Sequence, residues 1–262
     1  MNSQRISAVL IRHFYNLKRS WEKLSDSFYW PAMDLILWGL TSQYFQQAGQ
    51  ISNVVLILLS ALVFWQVIWR SQYEITVSLL EELWSRNLVN LFASPLKLNE
   101  WIAAVLLLGL IKMVMTISFT FILTWILYSI NLLNFGFLLL PFFGLLLFSG
   151  WWVGLLVAGI ILRFGIRVQT LAWAGVYLLA PFSALYYPVA SLPLWAQKIA
   201  IFIPTSYLFE GMREVLTKGY VSWYYLLWSL LLNLFYLFWA VKFFKASFAK
   251  ACDQGLAKLD EG

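Results

Sequence analysis

Long apolar segments separated by short polar connections make up most of this chain from about residue 28 to residue 244. A helix rises about 1.5 Å per residue, so about 20 apolar residues are needed to cross a hydrocarbon core about 30 Å thick. Open sheets are excluded in lipid, and the segments are too continuously apolar for the alternating strands of a barrel. The pattern therefore predicts an all-α, polytopic membrane protein, with residues 1–262 forming one transmembrane domain. The six predicted transmembrane helices cover residues 28–45, 51–69, 101–128, 135–162, 170–187 and 223–244.

Basic residues fall almost entirely on alternate connections between these segments, which predicts the orientation of the chain. The first segment is the weakest, because it contains Asp34 and ends in the polar run 43–50. Including it places fourteen of the eighteen Lys and Arg residues in the two tails and in the second and fourth connections. Three others precede the last span on the opposite side, and Lys112 lies within the third span. The positive-inside rule then predicts that both termini are cytoplasmic.

The composition agrees with a membrane protein and argues against other classes. The chain is 62% hydrophobic and 11% charged, with a mean hydropathy of +0.77, whereas soluble domains carry about 25% charged residues. Its 15 Trp fit an interfacial aromatic belt. The net charge of +6 is assigned to basic anchors at one membrane face, because no soluble basic domain remains to bind nucleic acid. One histidine, His13, and one cysteine, Cys252, do not suffice for a metal site or an internal disulfide.

Residues 5–24 have the pattern of an amphipathic helix that lies outside the spans. Apolar residues recur at three- and four-residue spacing, and most of the Lys and Arg residues lie off that stripe. Such a helix is expected along the cytoplasmic membrane surface, with its apolar face among the lipids and its basic side chains among the headgroups. It is either a passive anchor or a lever that contacts a cytoplasmic partner, and both interpretations remain open.

Residues 74–95, between the second and third spans, form a second amphipathic stretch that is longer than a turn requires. Glu81, Glu82 and Arg86 are among its polar positions, and Pro95 ends the predicted helix. On physical grounds this stretch is either an interfacial helix or a docking element for a soluble subunit.

Residues 188–220 precede the last span and are divided by prolines into short helices. One is predicted near residues 193–202, and the other from Thr205 or Ser206 to the residue before Gly219. Both have apolar faces, so they are expected to turn back into the outer leaflet as re-entrant helices.

Ionisable residues within spans are costly unless they are paired or face water. Asp34 lies in the first span and Lys112 near the middle of the third. They are expected to face each other or a water-filled translocation path, or to make structural pairs. Outside the spans, Glu210 and Arg213 are expected to lie on the solvated polar face of a short helix.

Catalytic motifs are absent from the sequence. It contains no G-x-x-x-x-G-K-[ST] phosphate loop, no Gly-x-Ser-x-Gly and no His-Glu-x-x-His. An intramembrane hydrolase needs paired carboxylates or a Ser/His pair at depth, and Asp34 is the only candidate for a buried acid. The sequence therefore predicts a protein that is not an enzyme.

Several local motifs accompany this arrangement of segments. They are Glu82-Leu-Trp-Ser-Arg-Asn-Leu88 with Ser94-Pro95-Leu96 and Glu100, Leu162-Arg-Phe-Gly165, Tyr187-Pro-Val-Ala-Ser-Leu-Pro193 with Trp195 and Gln197, and Pro204 with Phe209-Glu-Gly-Met-Arg213. With these motifs in this order along nearly its whole length, the chain resembles the type-2 permease family of ATP-binding-cassette (ABC) transporters. It is similar to the daunorubicin-exporter membrane-subunit branch of that family.

The resemblance implies a homodimer or pseudo-dimer of permeases in a bacterial or archaeal cytoplasmic membrane, with two separate ATPase subunits that hold the ATP and Mg²⁺. No cofactor is expected on this chain. Residues 74–95 would contain the coupling helix, with Glu81, Glu82, Arg86 and Asn87 as docking positions, since charged contacts set register and partner choice. Spans two and five would line the path between the permeases. The family's outer-helix motif would consist of Glu210, Gly211 and Arg213.

These residues and the resemblance leave two possible functions from different classes. The leading hypothesis is the membrane subunit of an ATP-driven exporter, surrounded by membrane lipids and moved by its ATPase partner. The alternative is a secondary carrier or a membrane assembly factor that works without ATP.

Overall fold

The computed structural model describes residues 2–49 and 54–256, with the backbone alone for residues 22–24 and 54, and every regular element in these ranges is helical. The predicted all-α fold class is thereby confirmed for the described part of the chain. The α-helices are α1 (Ser3–Arg19), α2 (Trp21–Gln47), α3 (Val54–Trp84), α4 (Leu88–Ala93), α5 (Leu98–Tyr128), α6 (Leu139–Phe164), α7 (Leu171–Ala174), α8 (Leu194–Ala200), α9 (Pro204–Lys218) and α10 (Trp223–Gln254). Short 3₁₀ segments cover Leu132–Leu138, Gly165–Val168, Val176–Leu178, Ala180–Phe182 and Val189–Ser191.

Four stretches within the described ranges are long and apolar enough to cross a membrane. They contain the described parts of the predicted spans 51–69, 101–128, 135–162 and 223–244; residues 51–53 lie outside the described residues. These stretches are Val55–Trp84, Leu98–Tyr128, Leu132–Val168 and Trp223–Gln254.

The other two predicted spans have a different local structure. Residues 28–45 lie within α2, which is 27 residues long but less apolar than the four stretches above because of Asp34 and its C-terminal glutamines. Residues 170–187 form α7 and two 3₁₀ turns rather than the predicted continuous helix. Pro181 has no N–H to donate to the preceding turn, and Ala184 has a positive φ of 57°, so both interrupt a regular α-helix here.

Helix α3 lies at the centre of the bundle and packs against α2, α5 and α6. Glycines bring α6 close to it. A Cβ atom at Gly150 would lie 2.6 Å from the Cβ of Ser71, and one at Gly154 would lie 2.8 Å from the Cδ1 of Ile75. The Gly150-x-x-x-Gly154 sequence therefore serves the α3–α6 contact, and α10 packs against another side of α6.

The stretch 74–95 is not one separate helix, and the prediction of a distinct element over these residues is wrong. Residues 74–84 continue α3 without a break, and the chain then turns at residues 85–87 into the six-residue α4. The predicted span ends at residue 69 because polar residues follow. Those residues are buried and partnered inside the bundle, so the helix continues through them.

Helix α1 confirms that the N-terminal stretch is helical, although it ends at Arg19 rather than at residue 24. Its buried residues are Val9, His13 and Leu17, and it packs against α5 and α2. The apolar stripe of α1 is thus partly covered by the protein itself.

The short helices before α10 agree closely with the prediction. Helix α8 (Leu194–Ala200) lies within the predicted 193–202, and α9 ends at Lys218, before Gly219 in the left-handed conformation with φ of 81°. The N-cap of α9 is Ile203, two or three residues before the predicted Thr205 or Ser206, because Pro204 suits the first turn of a helix. The hydroxyl of Tyr236 donates to the carbonyl of Phe202 at 2.8 Å. Tyr236 lies thirteen residues into α10, so the α8–α9 link lies about 20 Å along that helix from its start.

Candidate functional site

The centre of the bundle holds a cluster of four ionisable side chains on three helices. The ammonium of Lys112 on α5 donates to Glu74 on α3 at 2.6 Å. Arg70, one turn before Glu74 on α3, lies 3.6 Å from the same carboxylate. Its guanidinium also lies 3.3 Å from the carboxylate of Asp26 on α2 and donates to the Asp26 carbonyl at 3.2 Å. We call these four residues the ion cluster.

The two members of the ion cluster on α3 are almost completely enclosed, whereas Lys112 and Asp26 keep 14% and 23% of their side chains exposed. The side chains of Arg70 and Glu74 are 1% and 3% exposed, and Arg70 lies over the rings of Trp69 and Tyr73 at 5.1 and 5.4 Å. Two cations and two carboxylates balance in charge, which is the condition under which buried ions are tolerated. The pairs fix α2, α3 and α5 relative to one another.

Asp34 and Lys112 are not brought together, although the sequence pattern allowed them to face each other. Asp34 accepts a hydrogen bond from the side-chain amide of Gln66 at 3.2 Å, whereas the partner of Lys112 is Glu74. Each of the two side chains therefore has its own polar partner within the bundle. Arg70 and Glu74 were not predicted as site residues because the sequence pattern places them in a connection; their spacing of four residues was the available signal.

A second polar cluster surrounds Glu82, two residues before the C-terminal end of α3. The guanidinium of Arg12 on α1 donates to Glu82, and the side-chain amide of Asn87 donates to its other carboxylate oxygen at 2.8 Å. Glu82 is only 4% exposed. Partial burial lowers the pKa of Arg12, and the nearby charge of Glu81 opposes that effect. We call Arg12, Glu82 and Asn87 the α1–α3 clasp.

Helix α1 is tied to the bundle at its beginning as well. Glu100, in the first turn of α5, accepts from the backbone N–H groups of Asn2 at 2.8 Å and Lys97 at 3.0 Å. Arg5 lies 3.5 Å from the same carboxylate. Buried carboxylates therefore hold α1 at its beginning, through Glu100 of α5, and near its middle, through Glu82 of α3.

The turn after α3 has the geometry of a Schellman motif. The N–H of Asn87 donates to the carbonyl of Glu82, and the N–H of Arg86 donates to that of Leu83, both at 2.9 Å. Arg86 occupies the left-handed position with φ of 52°, where glycine is usual. Its side chain is exposed.

The four docking positions predicted from the sequence therefore differ in how accessible they are to a partner protein. Glu82 and Asn87 are engaged with each other and with Arg12, so they shape the turn and are not open to a partner. Arg86 is exposed and Glu81 is partly exposed. Of the four, Arg86 at the tip of the turn presents the most accessible charge.

A cleft of about 990 Å³ opens beside this turn, between α1, α2, α3 and α7. Trp84 and Trp173 stack in its wall with ring centroids 6.4 Å apart, and the indole N–H of Trp84 donates to Gln169 at 3.0 Å. Two of the carboxylates in the cleft lining are already paired, Glu82 with Arg12 and Asp26 with Arg70. The charged residues of the lining are Arg12, Asp26, Glu81 and Glu82.

On the other end of the bundle, the outer-helix motif is engaged in structure rather than solvated, which corrects the expectation of a polar face. Arg213 donates to the carbonyls of Ala184 and Leu185, and Glu210 accepts from the N–H of Val189 at 2.6 Å. A Cβ at Gly211 would lie 3.3 Å from the Cβ of Tyr225 on α10. These residues hold α9 against the irregular segment and against α10.

Comparison with known proteins adds no relative: no model of a protein family matches the chain, and no curated protein is significantly similar to it. A function must therefore be inferred from the geometry of the ion cluster, the α1–α3 clasp and the turn between α3 and α4.

Proposed function

We propose that this chain is the membrane-spanning permease subunit of an ABC exporter, which forms a translocation path with a second permease and is driven by separate ATPase subunits. The observation that carries the proposal is the continuity of α3. This helix runs unbroken from its apolar half through Arg70 and Glu74 to Glu82 in the clasp. Glu74 and Glu82 are eight residues apart, about 12 Å along one rigid helix.

A continuous helix moves as one rigid body, so a displacement of its C-terminal end also displaces the residues in the middle of the bundle. A push on the exposed turn 85–87 moves α1 through the α1–α3 clasp, and it moves α2 and α5 through the ion cluster. ATPase closure would then favour one of two arrangements of the helices, which is the physical content of alternating access.

The proposal assigns six crossings to the chain. Four are the long apolar helices, α2 is the first, and residues 165–187 with their helical turns are the fifth. Both termini and the turn 85–87 then face the cytoplasm, and α8 and α9 lie on the outer side. Catalysis of ATP hydrolysis belongs to the partner chain, with its ATP and Mg²⁺.

Accessibility labelling tests this topology. In a Cys252→Ser background, Arg86→Cys should react with a membrane-impermeant maleimide in inside-out vesicles and resist it in intact cells. Thr217→Cys, on α9, is the matched outer-side control and should show the opposite pattern. Labelling of residue 86 from outside the cell would overturn the proposal.

The requirement for an ATPase is tested by purification. The detergent-solubilised permease should co-purify with an ATPase subunit, and Arg86→Glu should weaken that association while leaving the permease folded. A transport activity that persists in reconstituted vesicles without an ATPase or ATP would contradict the proposal.

One observation favours the alternative of a secondary carrier. Charged residues inside transmembrane bundles frequently belong to ion or proton pathways, and the ion cluster lies inside this bundle. In that case an ion gradient alone would drive transport, and Lys112→Met would abolish gradient-driven uptake in vesicles that contain no ATPase.

A further inference from the structure

A groove of about 430 Å³ lies between α6, α8 and α10, away from the ion cluster and the clasp. Its walls include Trp152 of α6, Ile199 of α8 and Tyr236 of α10, and carbon atoms form nearly all of its surface. Its volume is in the range of small-molecule sites. Phe202, at its edge, is 64% exposed, so the groove is continuous with the apolar outer surface.

The polar atoms of the groove wall are already satisfied within the protein. The indole N–H of Trp152 donates to Asn233 at 3.2 Å, and the hydroxyl of Tyr236 donates to the carbonyl of Phe202 at 2.8 Å. The ring centroids of Trp152 and Tyr236 lie 4.9 Å apart, and both rings line the groove. Apart from Lys198, the wall presents nearly no polar surface, which suits an acyl chain better than a peptide or a sugar.

Lys198 is the one charged residue among the described residues that line the groove. Within the described part of the chain, its ammonium makes no ion pair and no hydrogen bond, and the residue is exposed. The other lysine of this outer region, Lys218, is paired with Glu214 at 3.0 Å. An exposed ammonium beside an apolar groove suits an anionic headgroup, and basic pockets between membrane helices bind phospholipid headgroups.

We propose that this groove binds one phospholipid, with an acyl chain against Trp152 and Tyr236 and the lipid phosphate on the ammonium of Lys198. A second protein copy would have to bring an acidic side chain to the ammonium of Lys198, whereas a phospholipid carries its own phosphate. The lipid would fill the space beneath the α8–α9 link and hold that link against α10. The proposal does not depend on the transport function.

Photo-crosslinking tests the site directly. The protein is reconstituted in vesicles with phosphatidylglycerol carrying a diazirine on one acyl chain, or with diacylglycerol carrying the same chain and no phosphate. Mass spectrometry should place the crosslinks on residues 152, 199–204 and 236, with several-fold more labelling by the phospholipid than by diacylglycerol.

Variants separate the two parts of the proposal. Lys198→Gln should bring the ratio of the two labels in the groove close to one, Lys198→Arg should retain the preference, and Lys218→Gln is the matched control that should leave it unchanged. Ile199→Trp, which adds volume at a partly exposed wall residue, should reduce labelling by both probes.

Three outcomes would overturn the proposal. These are crosslinks spread evenly over the exposed helix faces, equal labelling by the two probes in the unaltered protein, and a preference that survives Lys198→Gln. A crosslink from this groove to a second copy of the chain would assign the groove to a protein interface instead. Because none of these readouts involves ATP or transport, they distinguish failure of this proposal from failure of the permease assignment.

Discussion

The ammonium of Lys112 lies 2.6 Å from the carboxylate of Glu74, and this pair joins α5 to α3 inside the bundle. Glu74 also faces Arg70 at 3.6 Å, so the carboxylate is shared by two cations. Glu74 thus links α3 to α5, whereas Arg70 links α3 to α2 through Asp26. Loss of either partner would leave charge in a place where water cannot compensate for it.

Replacing Lys112 by Met should destabilise the protein by about 3 kcal/mol, because Glu74 then keeps only the more distant Arg70. Thermal or denaturant unfolding of the purified protein in detergent measures this loss. The matched control is Lys218→Met, which removes an ion pair on an exposed lysine and should change the stability far less. Adding Glu74→Gln to Lys112→Met should recover part of the stability. Equal stability of the two lysine variants would show that the pair contributes nothing.

The helices were easier to predict from the sequence than the partners of Lys112. Apolar length predicted the four long helices, and proline positions predicted the ends of α8 and α9 to within three residues, because these signals act locally. The ion cluster could not be predicted in the same way, since Asp26, Arg70 and Lys112 are far apart in the chain. Counting Arg70 as a loop residue also ended α3 too early. A polar residue at the end of an apolar segment indicates the end of the helix if its side chain is solvated. If a partner from a distant part of the chain pairs with it inside the protein, the helix continues through it.

The prediction of one continuous helix over residues 170–187 is wrong for another reason. Its composition is apolar enough for a span, but hydropathy does not register the missing N–H of Pro181 or the positive φ of Ala184. The clamp formed by Glu210 and Arg213 depends on backbone groups of residues 184–189, which only the folded chain brings to α9. The expectation of a solvated face was therefore reasonable for an isolated helix and wrong for this one.

Gly150→Ala should destabilise the α3–α6 contact by about 1 to 3 kcal/mol, because the added methyl group would lie 2.6 Å from the Cβ of Ser71 and 2.7 Å from the carbonyl of Ile68. Gly144→Ala is the matched control on the same helix, where no atom lies within 4 Å of the added Cβ. That control should be neutral or stabilising by up to about 1 kcal/mol, since Ala is the better helix former. Unfolding in detergent distinguishes the two, and equal effects would contradict the close approach of the helices.

The junction of α9 and α10 should lose stability in acid. The carboxylate of Glu214 accepts from the N–H of Ser222 at 2.8 Å and from Lys218 and the Ser222 hydroxyl at 3.0 Å, which lowers the pKa of Glu214. A group whose pKa is lowered by folding contributes stability above its unfolded pKa, and this contribution disappears as the pH falls through the lowered value.

We therefore expect the stability difference between the unaltered protein and Glu214→Gln to be greatest near neutral pH and to shrink below about pH 4.5. Thermal unfolding from pH 7 to pH 3 measures it, and Lys218→Gln, which removes only the exposed partner, should retain most of the pH dependence. A difference that grows in acid would mean that Glu214 binds its proton more tightly in the folded protein.

Arg86 offers a way to separate the fold of the turn from its proposed role in docking. Arg86→Gly and Arg86→Ala both remove the side chain, but only glycine adopts the left-handed conformation without steric cost. The glycine variant should therefore be more stable than the alanine variant by about 1 kcal/mol. If the turn docks an ATPase through this charge, both variants should bind that subunit more weakly and to a similar extent. Binding that follows stability instead of charge would show that the shape of the turn, and not the guanidinium, is what the partner recognises.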